Sequence, residues 1–137
     1  MRAGAIRLWL YVLIAASLAS WRVFGQTAAN RTPVEVWCGG DDGLTQRLFA
    51  ALQITFQSSP HFTLSTGRKP GTLVATIPTN VEWRQIGRRT LVSYTVDFTS
   101  TDNLNLGVSK GSCWDNSFAK CAAKIVLDAE LAARKIH

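Results

Sequence analysis

The 137-residue sequence has only two histidines, and it lacks the short motifs that mark most catalytic and metal sites. His61 has no cysteine or histidine at a ligand spacing, so a zinc site is not expected. No serine lies in a G-x-S-x-G elbow or an S-x-x-K motif. No Lys-Ser/Thr pair follows the glycine-rich stretch 39–43, which excludes a P-loop, and its aspartates would repel phosphate. The sequence therefore predicts no catalytic residue, no metal and no cofactor.

No apolar run reaches the ~20 residues that a bilayer-spanning helix needs. Residues 1–25 nevertheless have the parts of an export signal: a positively charged start, the apolar run 8–18, and small residues that allow cleavage after Ala19 or Gly25. No cysteine near the end of this run offers a lipid attachment site. We predict a cleaved signal peptide and a periplasmic or secreted protein, which meets the membrane only during export. An uncleaved N-terminal anchor is the alternative.

The charge balance does not favour a nucleic-acid partner. The whole chain has 15 Lys+Arg against 9 Asp+Glu and a net charge of +6. Three of the arginines lie within residues 1–25, so a net charge of +3 remains after removal through Gly25. The basic pairs at 68–69 and 88–89 lie beside turn signals. No basic helix with interleaved aromatic residues is present, so we expect no nucleic-acid binding.

The three cysteines are Cys38, Cys113 and Cys121, and in an exported protein they are first read as disulfide-forming residues. Cys113 ends a predicted strand and Cys121 lies in the second turn of a predicted helix, so a short disulfide loop worth ~2–3 kcal/mol is expected. The alternative is a buried Cys121 and a free Cys113. Cys38 is then the free thiol, although pairing with either of the others stays open. No C-x-x-C spacing indicates a redox-active pair.

The apolar periodicity predicts one α+β domain over residues 34–137, after a flexible lead-in at 26–33. Strand-like alternation and helical spacing recur in the order strand, helix, four strands, helix. The predicted segments are strand 34–38, helix 44–58, strand 61–65, a strand run 73–83 broken by Pro78, strands 92–98 and 104–113, and a helix from Phe118 to Ile136. We expect two helices on one face of a mixed four- to five-stranded sheet.

Local signals add detail to this order. Asp41 or Asp42 is placed to cap the first helix, and Asp115 to cap the last. We expect Trp37 in the core, whereas Trp83 and Trp114 fit either the core or a binding surface.

Residues 34–135 resemble the amino-terminal domain of TolB, a family of small periplasmic α/β domains. The resemblance rests on the helix Leu44–Gln57 followed by Pro60-His-Phe-Thr-Leu-Ser65, on Arg89-Thr-Leu-Val-Ser-Tyr-Thr-Val-Asp-Phe98 with Asp102-Asn103 at the next turn, and on the alanine-rich last helix. It implies an interaction or accessory role in the cell envelope and brings no catalytic motif. The paired cysteines depart from what such domains require.

These observations favour a non-enzymatic exported module that binds an unidentified envelope protein. We expect its contact surface on the hairpin residues Trp83, Arg84, Arg88 and Arg89. A secreted inhibitor or effector is one alternative. A small thiol enzyme that uses Cys38 with His61 is another. The sequence does not indicate an oligomeric state.

Overall fold

A computed structural model of the chain describes residues 30–136, and the predicted signal peptide at residues 1–25 lies outside the described residues. The strands are β1 (Thr32–Cys38), β2 (Phe62–Leu64), β3 (Leu73–Ile77), β4 (Glu82–Ile86), β5 (Arg89–Thr99) and β6 (Asn105–Trp114). The helices are α1 (Gly43–Ser58), which follows β1, and α2 (Phe118–Ala133), which follows β6.

The strands form one mixed sheet, which confirms the predicted fold class. β1 pairs in parallel with β2 and β3, and every pairing of β5 is antiparallel. β3 and β4 lie one after the other along one edge of β5, and β6 lies along its other edge. The two parallel pairs need crossover connections, which α1 and the loop after β2 supply.

The sheet has one strand more than the predicted maximum because Pro78 divides the run 73–83 in two. Thr76 pairs with Asp97 and Glu82 with Ser93, so residues 77–81 lie opposite only residues 94–96. Proline cannot donate to a ladder, and it is typical of bulges and edges. The run has two residues more than the segment of β5 opposite it, and it therefore resumes on the same edge of β5 as a separate strand.

The core lies between one face of the sheet and both helices. α1 buries residues at helical spacing, among them Leu48, Leu52 and Phe56, and α2 does the same with Ile125 and Ala129. The sheet contributes the alternate positions of β5, which are Val92, Tyr94, Val96 and Phe98. Each buried aliphatic or aromatic side chain stabilises the fold by about 1.5–3 kcal/mol, so this layer supplies most of the folding free energy.

The two helix starts differ from each other. Asp42 caps α1 as predicted, because its Oδ1 accepts the Thr45 N–H at 2.7 Å, and the hydrogen bonds from Thr45 lower the pKa of Asp42. Asp115 does not cap α2, so that prediction is wrong. Its N–H donates to the carbonyl of Thr90 at 3.0 Å and thus prolongs the β5–β6 pairing, and the helix begins only after Ser117.

Candidate functional site

The structure separates the two residues of the thiol-enzyme alternative. Cys38 ends β1, whereas the carbonyl of His61 accepts the N–H of Thr32 at the start of that strand. Six residues of strand at ~3.3 Å each separate the backbone at Cys38 from the backbone at Thr32, beside His61, by about 20 Å. A base has to be within hydrogen-bond reach of its nucleophile, so this pair has no geometry for catalysis.

Cys38 is the free thiol and is half-buried at a tightly built corner. Its Sγ lies 3.3 Å from the carbonyl of Gly40, which also accepts the side-chain amide of Gln46 at 2.8 Å. Asn80 also contacts this corner, since its Oδ1 accepts the N–H of Asp41 at 2.8 Å. A Cβ on Gly39 would clash with the Pro78 carbonyl. This close packing accounts for the residues around Cys38 without any chemistry.

A disulfide joins Cys113 of β6 to Cys121 of α2, with their Cα atoms 5.9 Å apart. Both residues are buried. The bond closes a loop across the junction between the strand and the helix, next to a groove of about 250 Å³ that Trp114 and Lys120 also line. It fixes where α2 starts relative to the sheet.

Arg47 ties α1 to the same junction. Its Nη2 donates to the Asp115 carbonyl at 2.8 Å, and its guanidinium lies 4.9 Å from the centre of the Phe118 ring. A planar, permanently charged group satisfies both contacts at once. The first helix, the end of β6 and the start of α2 are therefore held together as one unit.

The outer edge of β6 is covered by lysines of or near α2. Lys124 Nζ donates to the Lys110 carbonyl at 2.8 Å, and Lys135 Nζ donates to the Leu106 carbonyl at 2.9 Å. These bonds occupy backbone acceptors that another strand would need. Charged side chains, lysine above all, protect exposed sheet edges in this way.

Lys124 also belongs to a charged network at this edge. The buried Ser109 hydroxyl donates to Asp128 Oδ2 at 2.6 Å, and Lys124 Nζ lies 3.1 Å from the same oxygen. Burial raises the pKa of Asp128, but the hydrogen bonds from Ser109 and Lys124 outweigh it and hold that pKa below its usual value. The hydrogen bond to Asp128 raises the pKa of Lys124. The pair stays ionised and lines a groove of about 440 Å³.

The hairpin of β4 and β5 is the most exposed part of the sheet within residues 30–136. All eight residues from Glu82 to Arg89 are exposed, and two of them are large apolar side chains: Trp83 at 57% and Ile86 at 43%. β4 pairs with β5 along one edge only. The four predicted contact residues lie on this hairpin. We call them together the hairpin surface: Trp83, Arg84, Arg88 and Arg89.

The hairpin surface does not form a single face. Trp83 pairs with Val92 and so lies on the side of the sheet that carries the helices, whereas Arg84 pairs with Leu91 on the other side. Arg88 lies in the turn, and Arg89 stacks 3.8 Å above the Trp114 ring. What these residues share is the free edge of β4. Any partner that contacts both Trp83 and Arg84 has to approach along that edge.

Two aromatic or apolar positions differ from the sequence analysis. Trp37 is 49% exposed, so its predicted core position is wrong: Val36 and Cys38 face the helices, and alternation places Trp37 on the opposite side, where Arg68 lies 6.0 Å from its ring. Ile86 was not among the predicted contact residues, although it lies on the hairpin surface's own strand. The sequence feature that could have identified Ile86 as a contact residue is the turn at 87–88, which places it beside the charged residues that follow.

Other kinds of site have little support in the described chain. Between residues 30 and 136, no three histidine, cysteine or acidic side chains are grouped as metal ligands. No helix in that range is long and apolar enough to cross a membrane.

Comparisons with known proteins find similarity among solved structures. No family model matches the chain, and no curated protein matches it. Among solved structures, a minor lipoprotein from Acinetobacter baumannii is similar over 77% of this chain and 89% of its own, with 14% sequence identity and a TM-score of 0.38. That likeness is too weak to carry a functional argument. None of it is specific to the amino-terminal domain of TolB.

Proposed function

We propose that the protein is an exported, non-enzymatic module that binds a protein partner in the cell envelope through the hairpin surface. The observation that carries this proposal is the run of eight exposed residues from Glu82 to Arg89, which holds an exposed tryptophan, an exposed isoleucine and three arginines. Tryptophan and arginine are the residues that most often dominate binding energy at protein interfaces.

The distribution of charge supports a specific contact rather than a solvated loop. The hairpin has a net charge of +2, because it contains three arginines and one acidic residue: Arg84, Arg88, Arg89 and Glu82. Exposed charges of one sign raise the rate of encounter with a complementary partner and exclude partners of the same sign. The separation of Cys38 from His61 counts against the thiol-enzyme alternative.

Site-specific photocrosslinking in the cells that make the protein tests this proposal. A photoreactive phenylalanine analogue at Gln85 should give discrete adducts of higher mass in the envelope fraction. The matched control places the same analogue at Ile54, which is 63% exposed on α1, and should give none. Equal adducts at both positions, or none at Gln85, would contradict the proposal.

A charge reversal sharpens the same experiment. Arg84→Glu should abolish the Gln85 adducts, whereas Arg134→Glu makes the same change in charge at an exposed position after α2 and should leave them intact. The secreted inhibitor or effector is distinguished by location, because it predicts that the mature chain accumulates in the medium instead of the envelope fraction.

A further inference from the structure

The free edge of β4 offers backbone groups as well as side chains. Ile86 and Arg89 close a two-residue turn in which Gly87 has φ 63°, which makes them a hydrogen-bonded pair. Hydrogen-bonded and non-bonded pairs alternate in an antiparallel ladder, so the N–H and C=O groups of Trp83 and Gln85 point away from β5. No side chain of residues 30–136 hydrogen-bonds to these groups.

The two long edges of the sheet differ in this respect. Lys124 and Lys135 occupy two carbonyls of β6, so that edge is partly covered against another strand. β4 has neither a covering lysine nor an internal proline. An exposed edge strand with unpaired backbone groups is a template for strand addition.

The side chains of β4 indicate what kind of strand fits. Arg84 faces one side of the sheet and Trp83 the other, and both are exposed. An added strand alternates its side chains in the same way. An acidic residue opposite Arg84 would pair with it, with Arg88 nearby in the turn, while Glu82 and Ile86 share that side of the strand. Apolar residues at the other parity would pack beside Trp83.

Charge argues against a second copy of this chain on the same edge. Two β4 strands paired antiparallel about Arg84 would place Arg84 opposite Arg84. A register centred on Trp83 would place Glu82 opposite Arg84 instead, but in every register two hairpins of net charge +2 are brought together. Like charges directly opposite each other destabilise a strand pair. An acidic segment gains from the same arginines.

We infer that β4 binds an extended segment of another protein, in which acidic and apolar residues alternate, by adding it as a strand to the sheet. This inference rests on the proposed function and names its mode of contact and the chemistry of its partner. The bound strand would continue the sheet beyond β4. Its backbone hydrogen bonds supply affinity and its alternation supplies selectivity.

Peptide binding to the purified, exported protein tests the inference. The probe is a short fluorescent peptide of alternating glutamate and valine, followed by fluorescence anisotropy at low salt. Three comparison peptides each change one property of the probe. A peptide of alternating lysine and valine reverses the charge, and a peptide with its glutamates and valines in two blocks removes the alternation. The alternating acidic peptide with a central proline interrupts the backbone hydrogen bonds. Only the alternating acidic peptide should bind, and salt should weaken it.

Protein variants separate the backbone from the side chains. Gln85→Pro removes an N–H that makes no hydrogen bond within the sheet, and proline is tolerated on an edge strand. The fold should therefore persist while peptide affinity falls about tenfold. Gln85→Ala keeps that N–H and should bind as the unaltered protein does. Circular dichroism checks that both variants are folded, and amide exchange at Trp83 and Gln85 should slow in the complex.

Several results would overturn the inference. They are absence of binding by the alternating acidic peptide, equal binding by the blocked peptide, and unchanged affinity in folded Gln85→Pro. A dimer that Gln85→Pro disrupts would assign the edge to a second copy. Crosslinks from Gln85 in cells without peptide binding would overturn strand addition and leave the proposed function standing. Absence of those crosslinks would overturn the proposed function itself.

Discussion

Removal of the disulfide gives the most direct test of how the junction between β6 and α2 is stabilised. Cys113 and Cys121 are eight positions apart and their Cα atoms are 5.9 Å apart. In the chain-entropy relation, a closed loop of this length removes about 8 cal/mol/K from the unfolded chain, which is ~2.5 kcal/mol at 25 °C. The double variant Cys113→Ala, Cys121→Ala should therefore lose roughly 2–3 kcal/mol of unfolding free energy.

Urea denaturation followed by tryptophan fluorescence measures this loss. The unfolded state without the cross-link is less compact, so the m-value should also rise slightly. Cys38→Ala is the matched control, because it removes the thiol that has no disulfide partner. Alkylation before reduction should label one cysteine in unfolded protein, and alkylation after reduction should label three.

Two results would refute the reasoning. Equal unfolding free energies for the double variant and the Cys38→Ala control would mean that the bond does not constrain the unfolded chain. Peptide mapping that joined Cys38 to either of the others would mean that the junction is closed by different residues.

Three further perturbations have definite expectations. Gly111→Ala places a Cβ 2.6 Å from the Tyr94 hydroxyl and should cost about 1–3 kcal/mol. The added change Tyr94→Phe should recover part of this cost, because it removes a buried hydroxyl that has no hydrogen-bond partner within residues 30–136 but leaves the ring carbon Cζ 3.0 Å from the added Cβ. Ser109→Ala removes a buried donor to Asp128 and should cost about 1.5–3 kcal/mol by urea denaturation. Arg47→Ala should cost about 1 kcal/mol, with loss of its ring and carbonyl contacts.

The network at Asp128 also makes stability depend on pH. Its folded pKa lies below the unfolded value of 3.8, so its contribution is complete well above pH 3.8 and is lost as pH falls through the lower folded value. Ser109→Ala raises the folded pKa of Asp128 and should flatten this acid limb of unfolding free energy against pH. An unchanged acid limb would contradict the assignment. Arg134→Ala, at an exposed position, serves as control for these substitutions.

Periodicity was sufficient for the element order because most segments bury one face. The alternation of β5 and the four- and three-residue steps of α2 each identify a face in contact with the core, and the two faces together define the layers. The pairing partners required the structure. Nothing local in Leu73–Ile77 shows that β3 pairs in parallel with β1 on one side and antiparallel with β5 on the other.

The cap of the first helix was predicted correctly and that of the last was not, because an aspartate before an apolar helix can either cap the helix or continue the preceding strand. Asp42 precedes the first apolar residue of α1 and caps it. Asp115 has the same relation to an apolar stripe, but its N–H pairs with Thr90 because β5 is long enough to hold the chain in strand pairing at that point. The length of the neighbouring strand decided the outcome, and that is a tertiary property.

The hairpin surface shows what alternation cannot establish. Trp83 has the parity of buried residues in the run 73–83, and alternation correctly places it on the helix-bearing side of the sheet. Whether that side is covered depends on how far the helices extend. They do not cover β4, since Trp83 is 57% exposed. Pro78 supplied the one local clue, because a proline inside a strand run favours an edge. An edge strand beyond the helices is exposed on both faces, which is why a tryptophan and an arginine on opposite faces can meet the same partner.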